Sequence, residues 1–212
     1  MRFKITAGFL LIFTLLTIQP IRAEGYTALV VGDSISAAYG LNEQDGWVFL
    51  AEQQLREKGH DVTFINASIS GDTTAGGLRR LPDALQRFDP DLVIIELGGN
   101  DGLRGYPINA MQQNLEKMAV LSQDQGAEVL ILGMMIPSNY GQAYLKMFAK
   151  AFADAAKATD SEFIPFLLEP IALDTNYFQS DGIHPNAEAQ PLMADHVMPT
   201  MLEILEKSAT SN

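Results

Sequence analysis

Four short polar stretches carry residue types that could do chemistry together: GDS at 32–34, SGDTT at 70–74, GGND at 98–101 and DGIHP at 181–185. Ser34 offers a hydroxyl that becomes a nucleophile only when a base takes its proton. His184 is the histidine best placed to be that base: His60 falls at a helix-to-strand junction and His196 inside a predicted helix. Asp181 precedes His184 by three residues, a spacing that lets one loop fold a carboxylate onto the imidazole, fixing its tautomer and stabilising the imidazolium. Asn100 has an amide that can donate to an oxyanion, and the backbone N–H groups of Ser34 and Gly71 can serve the same oxygen, glycine permitting close approach.

Taken singly, each has a structural alternative. Ser34 is a good helix cap, Asp33 a turn former, Gly98-Gly99 a strand-exit turn, and Asn100 and Asp101 N-cap residues. The elements that must carry the four stretches decide the matter. YTALVV (26–31), DVTFINAS (61–68), DLVIIEL (91–97), EVLILGMM (128–135) and SEFIPF (161–166) read as strands. Between them, apolar residues recur at helical spacing: Trp47, Leu50, Ala51 and Leu55; Leu78, Leu81, Leu85 and Phe88, with Pro82 out of place; Ile108, Met111, Leu115, Met118 and Ala119; Leu145, Phe148 and Phe152. A last helix is expected from about Asn186. Apolar strands alternating with amphipathic helices predict an α/β fold: three layers, doubly wound, around a five-stranded parallel sheet of the flavodoxin-like kind. The first three stretches each follow a strand at its carboxyl end and the fourth follows the last strand, so one sheet edge can gather all four.

Other chemistries lack their signatures. There is no G-x-x-x-x-G-K-[ST], no G-x-G-x-x-G after the first strand, no H-E-x-x-H and no G-x-S-x-G. The absence of cysteine removes thiolate sites, disulfides and a lipidated anchor. No metal or cofactor is expected.

The 212-residue chain opens with Arg2 and Lys4, an apolar run at 7–18, Pro20 and Ala23, the pattern of a secretory signal too short to span a bilayer. The expected organisation is a signal peptide at 1–23 and one domain at 24–212, exported to the periplasm or secreted, with no stable membrane anchor and a monomeric state. The chain carries a net charge of −12, and the expected signal holds three cations and no acid, so the remainder stands three lower, at −15. Such a surface suits neither nucleic acid nor anionic lipid.

The four blocks with Ser34, Gly71, Asn100, Asp181 and His184 resemble the SGNH (GDSL) hydrolases. The stretches NASISGDTTAGGLRRLP, IELGGNDGLRG, IPSNYG and DGIHPNAEAQP are similar to its bacterial thioesterase I/lysophospholipase L1/arylesterase branch. Ile35 stands where the GDSL name implies leucine. The resemblance implies Ser34 as nucleophile, His184 as general base, Asp181 as its partner, and an oxyanion hole of Ser34, Gly71 and Asn100, acting through an acyl-enzyme on esters and thioesters of fatty acids. Asp33, Asn139 and Tyr140 are candidate substrate contacts, the last two within SNYGQAY (138–144), read as a wall of the acyl pocket. A carbohydrate O-deacetylase with the same triad, or a silent binding module on the same fold, stays open.

Overall fold

The computed structural model describes residues 25–211, so the expected signal segment at 1–23 lies outside the described residues. Five strands form one parallel sheet: β1 (Tyr26–Gly32), β2 (Val62–Asn66), β3 (Leu92–Glu96), β4 (Glu128–Leu132) and β5 (Glu162–Ile164), in the order β2-β1-β3-β4-β5. Six α-helices accompany them: α1 (Trp47–Glu57), α2 (Thr74–Phe88), α3 (Gly99–Leu103), α4 (Ile108–Asp124), α5 (Gln142–Ala158) and α6 (Gln190–Ser211). α1 packs on α6 over one face of the sheet, and α2, α4 and α5 pack side by side over the other. This is the doubly wound arrangement the strand and helix alternation predicts.

Burial on both faces explains the apolar strand sequences. All five residues of β3 are buried, and β1 is buried from Ala28 onward. Trp47, Ala51 and Leu55 of α1, Leu81 and Leu85 of α2, and Phe148 and Phe152 of α5 fill the layers between helices and sheet. α2 continues through Pro82.

The strand ends shift by one to three residues from the sequence reading and the last helix starts later, and three of these differences have a clear local reason. β5 ends at Ile164 because Pro165 has no N–H for the ladder. β4 ends at Leu132. Gly133 then approaches β5 so closely that a Cβ would lie 2.2 Å from the Pro165 carbonyl oxygen, and Met134 and Met135 leave the sheet. The last helix starts at Gln190 rather than Asn186. The Asn186 Oδ1 accepts from the N–H groups of Glu188 and Ala189 at 3.1 and 3.2 Å, holding a turn before the helix.

In this strand order the chain reverses direction across the sheet between β1 and β3, and the crevice at the carboxyl ends of those two strands is where such folds bind ligands. Ser34 and Asn100 follow those two strands. Among the described residues no helix is long and apolar enough to cross a membrane.

Candidate active site

β1 delivers Gly32 to a crowded spot, where a Cβ would lie 2.7 Å from the Ser36 Cβ and 2.8 Å from Glu96 Oε2. Glycine is required there by contact. The chain then turns: the Ala37 N–H bonds the Asp33 carbonyl and the Tyr39 N–H the Ser34 carbonyl, leaving Ser34 half-buried on the turn.

The loop carrying His184 is a small hairpin. Phe178 bridges Pro185 in antiparallel fashion, and the Gln179 N–H donates to the His184 carbonyl at 2.8 Å. Asp181 uses both its oxygens. Oδ1 accepts from the N–H groups of Ile183 and His184 at 2.9 and 3.0 Å, which folds the loop. Oδ2 lies 2.6 Å from His184 Nδ1. The hydrogen bond from His184, with the two backbone donors, holds the Asp181 carboxyl down at about 2. His184 Nε2 is 2.9 Å from Ser34 Oγ, so the three side chains form one connected line across 150 residues of sequence.

Asn100 sits in the first turn of α3, entered through Gly98 at φ 122°, where a Cβ would meet the Phe152 ring at 2.8 Å. Its Nδ2 donates to Asp33 Oδ2 at 2.9 Å. An amide nitrogen carries two hydrogens, so one is fixed on the carboxylate and the second is left for another acceptor. Gly71 lies on the turn after β2 at φ 79°, its carbonyl bonded by Arg104 at 2.9 Å. The N–H groups of Ser34 and Gly71 have no protein acceptor among the described residues.

The remaining candidates are arranged differently. Asp33 is buried, its Oδ1 accepting from the Ile35 N–H at 3.0 Å and its Oδ2 from Asn100. Tyr140 donates its hydroxyl to the Leu103 carbonyl at 2.8 Å, and Asn139 is exposed beside it. Asp101 caps a neighbouring helix: its carboxylate accepts from the Thr74 N–H and hydroxyl at 2.9 and 2.7 Å, tying the start of α2 to α3. His196 faces the Phe166 carbonyl from within α6, 3.1 Å away, and His60 follows α1; neither approaches Ser34 in any hydrogen bond.

Three residues near the site carry no signature in their spacing. The Tyr39 ring lies 4.4 Å from that of His184, tilted by 35°. Gln179 Nε2 donates to the Tyr39 carbonyl at 2.7 Å and the Pro185 carbonyl at 3.1 Å, clipping the serine turn to the histidine loop. Glu96 is fully buried at the end of β3, accepting from the Ser36 hydroxyl at 2.7 Å and the Asp33 N–H at 3.2 Å, while its Oε1 has no partner among the described residues. Burial and the neighbouring Asp33 push the Glu96 carboxyl well above its ordinary range, and burial pushes Asp33 up to about 6. Glu96 had a visible signal, a lone acid inside the apolar run LVIIEL; Tyr39 and Gln179 had none.

Ser34, Asn100 and His184 line a cavity of about 520 Å³ together with apolar residues that include Leu103, Met134, Ile136, Phe166 and Leu168. Residues 30–191 match the GDSL-like lipase/acylhydrolase family. The chain belongs to that family. This acylhydrolase is 47% identical over 184 residues to the esterase TesA of Pseudomonas aeruginosa, covering 87% of this chain and 92% of that one. It is 39% identical over 185 residues to the thioesterase 1/protease 1/lysophospholipase L1 of Escherichia coli, covering 87% and 86% of the two chains. Its fold superposes with a TM-score of 0.82 on the crystal structure of TesA, at 48% identity and covering 84% of this chain and 99% of that one. The acylhydrolase is thus an ester hydrolase with a five-stranded parallel sheet, as its strand pattern and motifs imply.

Proposed function

We propose that this chain is a serine esterase of fatty-acyl esters and thioesters, working through an acyl-enzyme on Ser34. The observation that carries the reading is the continuous line Asp181 Oδ2–His184–Ser34 Oγ, with links of 2.6 and 2.9 Å. His184 Nε2 takes the Ser34 proton as the oxygen attacks the acyl carbonyl. The tetrahedral oxyanion rests on the N–H groups of Ser34 and Gly71 and the second hydrogen of the Asn100 amide. His184 returns the proton to the departing alcohol or thiol, and the acyl-ester bond to Ser34 forms as that group leaves. Water, deprotonated by His184, then releases the fatty acid and restores the serine. Asp181 supplies the negative charge beside the imidazolium in both half-reactions.

The apolar walls of the cavity favour an acyl chain over an acetyl group on a sugar. Cytosolic coenzyme A thioesters would not reach an enzyme exported by the segment at 1–23, so amphiphilic esters such as lysophospholipids are the proposed natural substrates, in the periplasm or outside the cell. The acidic surface favours zwitterionic or uncharged lipids, and the protein is proposed to act as a monomer.

The test is a series of p-nitrophenyl esters from acetyl to palmitoyl, run on residues 24–212 and on Ser34→Ala. Hydrolysis strongest on medium or long chains and lost in the variant is expected. Activity confined to the acetyl ester would favour the deacetylase, and turnover surviving in Ser34→Ala would overturn the nucleophile.

A further inference from the structure

A second depression adjoins the candidate active-site cavity. It has a volume of about 440 Å³ and is lined by Met135, Ile136, Gln142, Ala143, Leu145, Lys146 and Ala149. Its α5 residues recur at helical intervals of three and four, so they form one stripe of that helix. Met135 and Ile136 also line the cavity holding Ser34 and His184. The two spaces therefore share a wall. Ile136 is 8% exposed and anchored in the core, whereas Met135 is 55% exposed.

An exposed methionine on the wall between two apolar spaces is an adaptable partition: its unbranched thioether chain can repack without straining the backbone. The groove beyond it suits an uncharged chain. Leu145 and the two alanines are apolar, Gln142 is neutral, and the one charged side chain, Lys146, can lay its methylene stem along a hydrocarbon while its ammonium stays in water.

We infer that the groove along α5 is a distal acyl subsite, entered over Met135, which receives the far methylenes of long fatty-acyl chains whose carbonyl sits at Ser34. The inference rests on the acyl-esterase reading of the Ser34 cavity and names which part of the substrate that cavity alone does not hold. Short chains end inside the inner cavity and do not cross the partition. Longer ones cross Met135 and bury their ends against Ala143, Leu145 and Ala149. The groove adds about 440 Å³ to the 520 Å³ of the inner cavity, so it changes the chain length the protein can shelter from water.

The experiment compares kcat/KM for p-nitrophenyl dodecanoate and butyrate in the wild type, in Ala143→Trp, whose indole fills the groove, and in Met135→Ala, which lowers the partition. Burying one methylene is worth roughly fourfold. Excluding two or more should thus lower the dodecanoate-to-butyrate ratio in Ala143→Trp by at least about tenfold. Met135→Ala should raise that ratio about threefold or more. Ala143 is exposed, so the tryptophan variant should fold; Lys146→Trp, on the same stripe, replaces it if its melting temperature falls.

Ratios within about twofold of wild type in both variants would overturn the subsite, as would equal losses on both esters. Binding of uncleaved p-nitrophenyl dodecanoate to Ser34→Ala, with and without Ala143→Trp, reads the groove without turnover: tenfold weaker binding in the double variant supports it, and equal binding sinks it. If Ser34→Ala still cleaves esters, the nucleophile assignment fails, while the chain-length ratios of the Ser34-containing proteins still decide the groove.

Discussion

Asp33 Oδ2 accepts the Asn100 amide at 2.9 Å, so the residue before the serine holds the side chain that serves the proposed oxyanion hole. The same carboxylate accepts the Ile35 N–H through Oδ1 at 3.0 Å, fixing the turn on which Ser34 sits. One buried acid therefore sets both the Ser34 turn and the Asn100 amide, a connection between β1 and β3 across the point where the strand order reverses.

Asp33→Asn should disrupt that arrangement while keeping the shape. An amide has one acceptor oxygen where the carboxylate has two, so either Ile35 or Asn100 loses its partner. Loss of one oxyanion donor costs about 10²–10³ in rate. The expected result is a fall in kcat of about tenfold to a hundredfold with KM changed little, since the contact matters most in the transition state. Steady-state kinetics on a p-nitrophenyl ester would check it, and an unchanged kcat would show that Asn100 does not need Asp33.

Behind Asp33, Glu96 makes the folded state sensitive to pH. Both carboxyls are raised, Asp33 to about 6 and Glu96 well above its ordinary range, chiefly by burial. The folded chain thus keeps protons that the unfolded chain loses above about pH 4, and stability falls as pH rises from there. Glu96→Gln keeps an acceptor for Ser36 and for the Asp33 N–H without a charge to desolvate. At pH 8 it should melt above the wild type, because the charge that burial disfavours is gone. At pH 4 the two should coincide. Thermal melts across that range settle it, and a constant difference at all pH values would mean that Glu96 does not titrate with folding.

Gln179 joins the serine turn to the histidine loop through the carbonyls of Tyr39 and Pro185. Gln179→Ala should lower stability by about 1 kcal/mol and kcat by roughly threefold to tenfold, because a shift of His184 relative to Ser34 weakens proton transfer. Gly40→Ala should act in the same direction. Gly40 has φ 78°, and a Cβ there would lie 2.5 Å from Gln179 Oε1. Wild-type kcat in both variants would show that the two loops hold their register without the clip.

How much of this was legible in the sequence depends on whether a residue's partner lies in its own segment. The strands could be read because each is apolar on both faces, and Asp181 with His184 because they share one short loop. The strand-end placement of Ser34, Asn100 and Gly71 could be read because polar groups there stand out against apolar runs. Gln179 could not, since its partner Tyr39 is 140 residues away and both belong to ordinary loop sequence. The Asn186 turn was hidden because a side chain accepting N–H groups from residues 188 and 189 looks, in sequence, like the start of the helix itself. SNYGQAY (138–144) is read as one wall; of that segment Gln142 and Ala143 line the outer depression while Tyr140 gives its hydroxyl to the Leu103 carbonyl, and Met135 to Pro137, just before it, line the inner cavity.

Asp181→Asn tests the far end of the line. Asp181 accepts from two backbone N–H groups through Oδ1 and faces His184 Nδ1 through Oδ2. Asparagine keeps one acceptor. With its oxygen on the backbone, its NH₂ points at Nδ1, where it donates and stabilises the tautomer that carries the proton on Nε2. That tautomer cannot accept from Ser34, so kcat should fall by about 10²–10⁴ with the fold retained. The stability effect has a definite pH course. The wild-type carboxyl is lowered to about 2, so its stabilising pairing is present above the ordinary carboxylate range near pH 4 and is lost as pH falls through about 2. Circular-dichroism melts of wild type and variant should therefore differ at pH 7 and converge toward pH 2. Turnover within about threefold of wild type in Asp181→Asn would show that the carboxylate orders the loop without acting on the imidazole.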